Sequence, residues 1–163
     1  MAHLNVRQML EAMCRAAEAG DGQTFASYFA DECVYHDDFY GAFVGRDRVA
    51  EWVTDWLHKD ARAMRWDMLD PVLENDRLYA RYIFSYDSKL PEAKGARAMY
   101  EAVAIMKLRD GKIIEYREVV NSGTAFADMH FHPERLFKIF ARKAAALKAL
   151  PELQPHLRSP DNR

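Results

Sequence analysis

Residues 97–121 read RAMYEAVAIMKLRDGKIIEYREVVN. Two runs rich in β-branched and aromatic residues flank Asp110-Gly111, a pair suited to a two-residue hairpin turn of the primed type, whose central positions need positive φ. The turn sets the register, with Arg109 opposite Lys112. Side-chain alternation then puts Glu101, Val103, Ile105, Ile114, Tyr116, Glu118 and Val120 on one face. The other face carries Tyr100, Ala102, Ala104, Met106, Glu115, Arg117 and Asn121. Two carboxylates, Glu101 and Glu118, then stand on an aliphatic and aromatic surface. On a concave wall each needs a partner or a shifted pKa. Tyr100 and Tyr116 fall on opposite faces in this register, so at most one points inward.

Outward from the hairpin, alternation marks further strands near 64–73 and 77–87, with the hairpin strands at 97–109 and 112–122. Turn signals lie at Glu74-Asn75-Asp76 and around Pro91 to Gly95. Upstream the period is helical. Val6, Met9, Leu10, Met13 and Ala17 follow an Asn5 cap and stop at Gly20-Asp21-Gly22. A shorter helix carries Phe25, Tyr28 and Phe29, and Cys33 to His36 form a brief strand that leads into an aromatic loop at Phe39-Tyr40-Gly41. Gly45-Arg46-Asp47 opens a third helix with Val49, Trp52, Val53, Trp56 and Leu57 on one face. Helices followed by a four-strand meander give an α+β order. An extra C-terminal helix is expected at about 133–149, with Leu136, Phe137, Phe140 and Leu147 inward, and 151–163 as a flexible tail.

The chain has 163 residues, half of them hydrophobic, enough for one core and a single domain over 1–150. Lys plus Arg number 23 against 25 Asp plus Glu, for a net charge of −2. No basic run stands apart, which argues against nucleic acid as a partner. Cys14 and Cys33 lack CxxC spacing and read as buried apolar residues. The start, Met1 to Arg7, is no signal sequence, and no apolar run reaches the roughly 20 residues a membrane span needs. The expectation is a cytoplasmic protein without membrane association.

The order of several segments carries a resemblance. Ala-Gly-Asp at 19–21, Tyr-Phe-Ala-Asp-Glu at 28–32, Gly-Arg-Asp-Arg-Val-Ala-Glu-Trp at 45–52 and the run from Asp110 to Asn121 resemble the nuclear transport factor 2-like superfamily, in particular its SnoaL-like and ketosteroid-isomerase-like branches. The resemblance implies a cone-shaped curved antiparallel sheet wrapped by N-terminal helices around a pocket for a small hydrophobic molecule. It also implies a homodimer formed through the convex face. The scaffold hosts many chemistries, so the reaction has to be read from individual residues.

Counting forward from Phe29-Ala30-Asp31, the ketosteroid-isomerase base position falls on Asp37. The oxyanion-donor positions of that branch fall on Met13 and Ala104, which cannot donate. Gly111-Lys112-Ile113 with Tyr116-Arg117-Glu118 is similar to the catalytic segment of limonene-epoxide hydrolases, with Glu118 at the Asp position. Their second Asp falls on Asp87, but Ser85 stands where they carry Arg. Tyr100-Glu101, Asp110 to Ile113 and Arg117-Glu118 with Asn121 are similar to phenazine-biosynthesis A/B-type proteins, whose acid/base Glu again coincides with Glu118. Trp52 and Trp56 replace that family's helix-three His and Ser.

The candidate catalytic residues are therefore Glu118, Asp37 and Asp87, and the candidate substrate contacts are His36, Trp52, Trp56, Glu101 and Tyr116. His36-Asp37-Asp38 is not spaced as a metal site, and neither metal nor cofactor is expected. Carboxylate acid/base work in an isomerase, cyclase or dehydratase acting on a hydrophobic carbonyl or polyketide-like compound is one reading. A non-catalytic small-molecule binder of the same fold is a second. An interaction module is a third, and it requires Tyr100 and Met106 exposed on the outer face.

Overall fold

A computed structural model describes residues 5–159, so the last part of the tail, residues 160–163, lies outside the described residues. These group into two compact units, one ending at Met129 and the other beginning at His130. In the first unit, α1 (Val6–Ala19) starts where the Asn5 side chain accepts from the Gln8 N–H and ends at Gly20 in the left-handed region, φ 76°. Met9, Leu10, Met13, Cys14 and Ala17 bury its inner stripe. After α2 (Gly22–Ala26), capped by Asp21, the chain turns at once into β1 (Phe29–Asp37). Phe29 is thus the first strand residue and not a helical one, and the brief strand expected at 33–36 is nine residues long. Gly22 lets α2 approach the next helix so closely that a Cβ there would strike the Ala50 carbonyl oxygen.

β2 (Gly41–Val44) returns antiparallel to β1, adding a strand where only a loop was expected. A continuous helical run follows: α3 (Arg46–Glu51), a π-helical segment (Trp52–Leu57) and the short α4 (His58–Asp60). The meander is then β3 (Ala61–Glu74), β4 (Arg77–Ser88), β5 (Arg97–Arg109) and β6 (Lys112–Val120), closed by α5 (Ser122–Asp128). The curved sheet has the order β2-β1-β6-β5-β4-β3. All neighbours are antiparallel except β1 and β6, which run parallel. Two irregularities in β3, with Ala63 and Asp70 at positive φ, bend the strand around the core.

The decisive hairpin turns as expected at Asp110-Gly111, both at positive φ, with Arg109 opposite Lys112 and Leu108 opposite Ile113. The next pair is Lys107 with Glu115, so Ile114 is an extra, bulged residue. One inserted residue exchanges the faces for everything beyond it. Tyr116 and Glu118 therefore share a face with Met106, Ala104, Ala102 and Tyr100, not with Glu101, Val103 and Ile105. Tyr100, Met106 and Tyr116 are all buried, which removes the condition the interaction-module reading required. The inner faces of β4 and β5 follow the two-residue period: Leu78, Ala80, Tyr82, Phe84 and Tyr86, then Ala98, Tyr100, Ala102, Ala104 and Met106.

The second unit holds α6 (Pro133–Lys148), with Pro133 in the first turn and His132 as cap, and a 3₁₀ stretch over Pro151–Leu157 where only a loose tail was expected. None of the α6 residues is buried, and Phe137, Phe140 and Leu147 are exposed. No helix among the described residues is long and apolar enough to cross a membrane.

Candidate active site

Glu118 stands at the centre of the sheet's inner face. Ala104 pairs with it across β5–β6, and Ala102 pairs with Tyr82 across β4–β5. Two small side chains on β5 thus leave the room in which Tyr82, from two strands away, meets the carboxylate. The Tyr82 hydroxyl donates to Glu118 Oε2 at 2.6 Å, and the Tyr116 hydroxyl approaches the same oxygen at 3.4 Å. The other oxygen, Oε1, accepts from the Asp38 N–H at 3.0 Å.

The loop that supplies this N–H is set by Asp37. Its Oδ1 accepts from the N–H groups of Phe39 and Tyr40, at 2.8 and 2.6 Å, an Asx-type turn. The Tyr40 hydroxyl donates to Asp60 Oδ2 at 2.9 Å and fastens the loop to the end of the helical run. Asp37 is therefore near Glu118 and orders its surroundings, while part of its own bonding capacity is committed to the loop.

Aromatic rings build the walls. Tyr35 stacks on Tyr116 at 4.5 Å between centroids and 16° between planes, and Trp52 packs on Tyr35 at 4.5 Å. Trp66 meets Tyr82 edge-on at 5.6 Å, and Tyr100 lies among Phe39, Tyr82 and Phe84. Phe25 touches both Trp52 and Trp66. The Nε1 atoms of Trp52 and Trp66 are buried without a hydrogen-bond partner, each costing on the order of 1–3 kcal/mol.

Burial in these walls raises the Glu118 pKa to about 8, and the Asp37 charge pushes it the same way. The hydrogen bonds from Tyr82 and Asp38 pull it down but do not restore it. By area Glu118 is only half-buried, whereas the protein around it desolvates it as a core group. The Tyr82 and Tyr116 hydroxyls and the Asp38 N–H packed on the carboxylate take the place of water that would otherwise solvate it. Tyr35, Tyr82, Tyr100 and Tyr116 are all held well above the usual phenol range, again chiefly by burial, and keep their protons at neutral pH.

The remaining sequence-derived candidates divide by face. Trp52 and Tyr116 are on the inner side with Glu118. Trp56 is half-buried, further along the π-helical segment, with its ring near Tyr40 and Phe43. Glu101 is a correction: the Ile114 bulge leaves it on the outer face, where it accepts from Arg81 at 2.8 Å. Asp87 is likewise on the outer side, paired with Arg97 at 2.9 Å. His36 is exposed on the side opposite Tyr35 and Asp37, and desolvation and Arg117 lower its pKa. Sequence reasoning did not single out Tyr82 or Tyr35, nor place Tyr100 inside. The alternation Leu78, Ala80, Tyr82, Phe84, Tyr86 was the signal available for the first. Among the described residues no group of three His, Cys, Asp or Glu side chains is gathered as metal ligands.

A SnoaL-like domain model matches residues 10–116. The chain belongs to the SnoaL-like family. The match ends two residues before Glu118, so the role of that residue rests on its geometry. No curated protein matches the sequence. Among solved structures, this SnoaL-like chain is similar to TsrD from Streptomyces laurentii, with 17% identity over 79% of this chain and 97% of that one and a TM-score of 0.66. It is similar to a protein of ketosteroid isomerase-like fold from Catenulispora acidiphila, solved with trimethylamine, at 14% identity, 77% and 98% coverage and TM-score 0.66. A Xanthomonas campestris structure described as a candidate polyketide cyclase gives 21% identity, 76% and 98% coverage and TM-score 0.60. Identities this low establish the shared fold of these SnoaL-like proteins and nothing finer.

Proposed function

We propose that this SnoaL-like protein is a small-molecule enzyme that moves protons with Glu118, as an isomerase, cyclase or dehydratase acting without a cofactor on a flat, hydrophobic carbonyl or polyketide-like compound. The observation that carries the reading is a carboxyl with a pKa of about 8, fixed by Tyr82 and the Asp38 N–H among aromatic walls. A group poised near neutral pH can both give and take a proton within one turnover. In its ionised form Glu118 removes a proton from the carbon next to a carbonyl; in its neutral form it returns the proton to another atom or to a leaving oxygen. Asp37 assists as the charge that helps keep the pKa high and as the anchor of the loop. Trp52, Tyr116 and Trp56 shape the space for the ring system. Asp87, Glu101 and His36 take no part in this chemistry. A homodimer in the cytoplasm completes the proposal.

The second reading, a non-catalytic binder, is favoured by the buried, apolar Met13 and Ala104 at the positions where the ketosteroid-isomerase branch places its donors. Hydrogen exchange separates the two. In D2O, a panel of cyclic and aromatic ketones is followed by NMR for loss of the α-proton signal. The wild type exchanges at least one member, and Glu118→Gln slows that exchange by roughly 100-fold or more. Equal rates for the two proteins would remove Glu118 from the chemistry, and binding without any exchange supports the binder.

A further inference from the structure

The chain from His130 onward is charged unlike the rest. It holds 7 Lys or Arg against 3 Asp or Glu, whereas residues 1–129 hold 16 against 22. Within α6 the bias is steeper, with Arg135, Lys138, Arg142, Lys143 and Lys148 against the single acid Glu134. These basic residues alternate with apolar ones and form no run in the sequence; the helix is what gathers them. At about 100° per residue, Phe137, Phe140, Ala144 and Leu147 fall in one stripe, and Arg135, Lys138 and Arg142 line the opposite side. Lys143 and Lys148 border the apolar stripe on its two flanks. The stripe is open, with Phe137 75%, Leu147 57% and Phe140 44% exposed. Both ends of the helix are finished locally: His132 caps the start, the Arg135 guanidinium lies 3.9 Å over the Phe131 ring, and the Gln154 side chain donates to the Lys148 carbonyl at 2.7 Å.

We propose that α6 is a peripheral anchor that lies flat on an anionic lipid surface, with Phe137, Phe140 and Leu147 entering the boundary between headgroups and acyl chains. A helix with an apolar stripe, a basic opposite side and little net hydrophobicity settles in the plane of an interface and not across it. At 16 residues α6 extends about 24 Å along that plane. Lys143 and Lys148 emerge at the level of the lipid phosphates, their stems lying along apolar surface. Arg135, Lys138 and Arg142 stand about 10 Å further out, one helix diameter, which is about one Debye length in physiological salt and so within reach of the surface charge. The positive charge also decides between occupants. A second α6 packed stripe to stripe would set the same charge against itself, whereas anionic lipid offers both an apolar layer and the opposite sign. The expectation of no membrane association rested on the lack of a spanning run, a criterion that adsorption in the interface does not have to meet. The anchor is independent of the chemistry assigned to Glu118.

The test is flotation of the full chain with unilamellar vesicles of phosphatidylcholine, alone or with about one-third phosphatidylglycerol, at about 0.1 M and about 0.5 M salt. The chain floats with the anionic vesicles at least tenfold more tightly than with the neutral ones, and the difference collapses at the higher salt. Lys148→Gln weakens that binding about fivefold. Phe137→Asp combined with Leu147→Asp weakens it at least tenfold, while the melting temperature without vesicles stays that of wild type, because both side chains are exposed. In a Phe137→Trp variant, vesicles with brominated acyl chains quench emission that wild type does not show. No flotation up to millimolar anionic lipid, equal binding to both kinds of vesicle, binding untouched by the double aspartate variant, or an unquenched Phe137→Trp variant overturns the proposal. Displacement from the vesicles by soluble poly-aspartate at equal charge assigns the helix to an acidic protein instead. A dimer that becomes a monomer in the double aspartate variant assigns the stripe to a second copy, and either result likewise overturns the lipid anchor.

Discussion

A carboxyl that ionises near pH 8 instead of in the usual range takes up a proton when the chain folds. The folded state therefore binds more protons than the unfolded one between the ordinary glutamate value and about 8, and stability falls as pH rises through that window. Glu118→Gln should flatten this slope, which thermal melts at pH 5, 6.5 and 8 will show as a smaller loss of Tm on going up in pH. Tyr82→Phe should act in the opposite sense on the proton itself. The Tyr82 hydrogen bond pulls the Glu118 pKa down, so its removal moves the midpoint still higher, as a carboxyl-13C titration will read directly. The Glu118 carboxylate was visible in the sequence as a charge among apolar alternating neighbours. Its partners were not, because Tyr82 is 36 residues away in the chain and reaches Glu118 only over the two alanines of β5.

Among the elements, the β5–β6 hairpin shows how far a local signal extends. Asp110-Gly111 announces the turn, its two positive φ values and the first two pairs, because those depend on two residues. The bulge at Ile114 depends on which residues the sheet has to bury, and no turn residue marks it. Its effect is large: with it, Tyr116 and Glu118 face the core and Glu101 reaches Arg81 outside. Deleting Ile114 closes the bulge and keeps Tyr116 opposite Met106 and Glu118 opposite Ala104, both still facing inward. Fully burying one large side chain is worth roughly 1.5–3 kcal/mol. Because Tyr116 stays buried, the deletion should lower the urea midpoint by less than that loss would, and should retain the pH-dependent step assigned to Glu118. A variant that loses that step contradicts this account of the hairpin. Helix three was legible from its apolar stripe, but the widening of its turns over Trp52–Leu57, which spaces Trp52 from Trp56, leaves no such mark.

On the scale of the molecule, the ordered segments from Ala19 to Asn121 were enough to identify the superfamily, since they mark the succession of helices and meander in its order along the chain. The first two strands were under-read because β1 and β2 are short of alternation and bring their aromatic residues close to a turn. The outer face of the sheet carries exposed Tyr79, Met99, Val103 and Val119 beside the Arg81–Glu101 and Arg97–Asp87 pairs. If the proposed homodimer forms there, Val103→Glu combined with Val119→Glu shifts the sedimentation coefficient from dimer to monomer. A wild type that sediments as a monomer at micromolar concentration dismisses that interface. The same molecule also carries its own optical reporter. Trp52 lies on Tyr35, and Trp66 touches Tyr82, so light absorbed by the tyrosines can be passed to indoles that glow at a longer wavelength. A guest that settles among those rings alters that glow, and occupancy can be watched without attaching a dye.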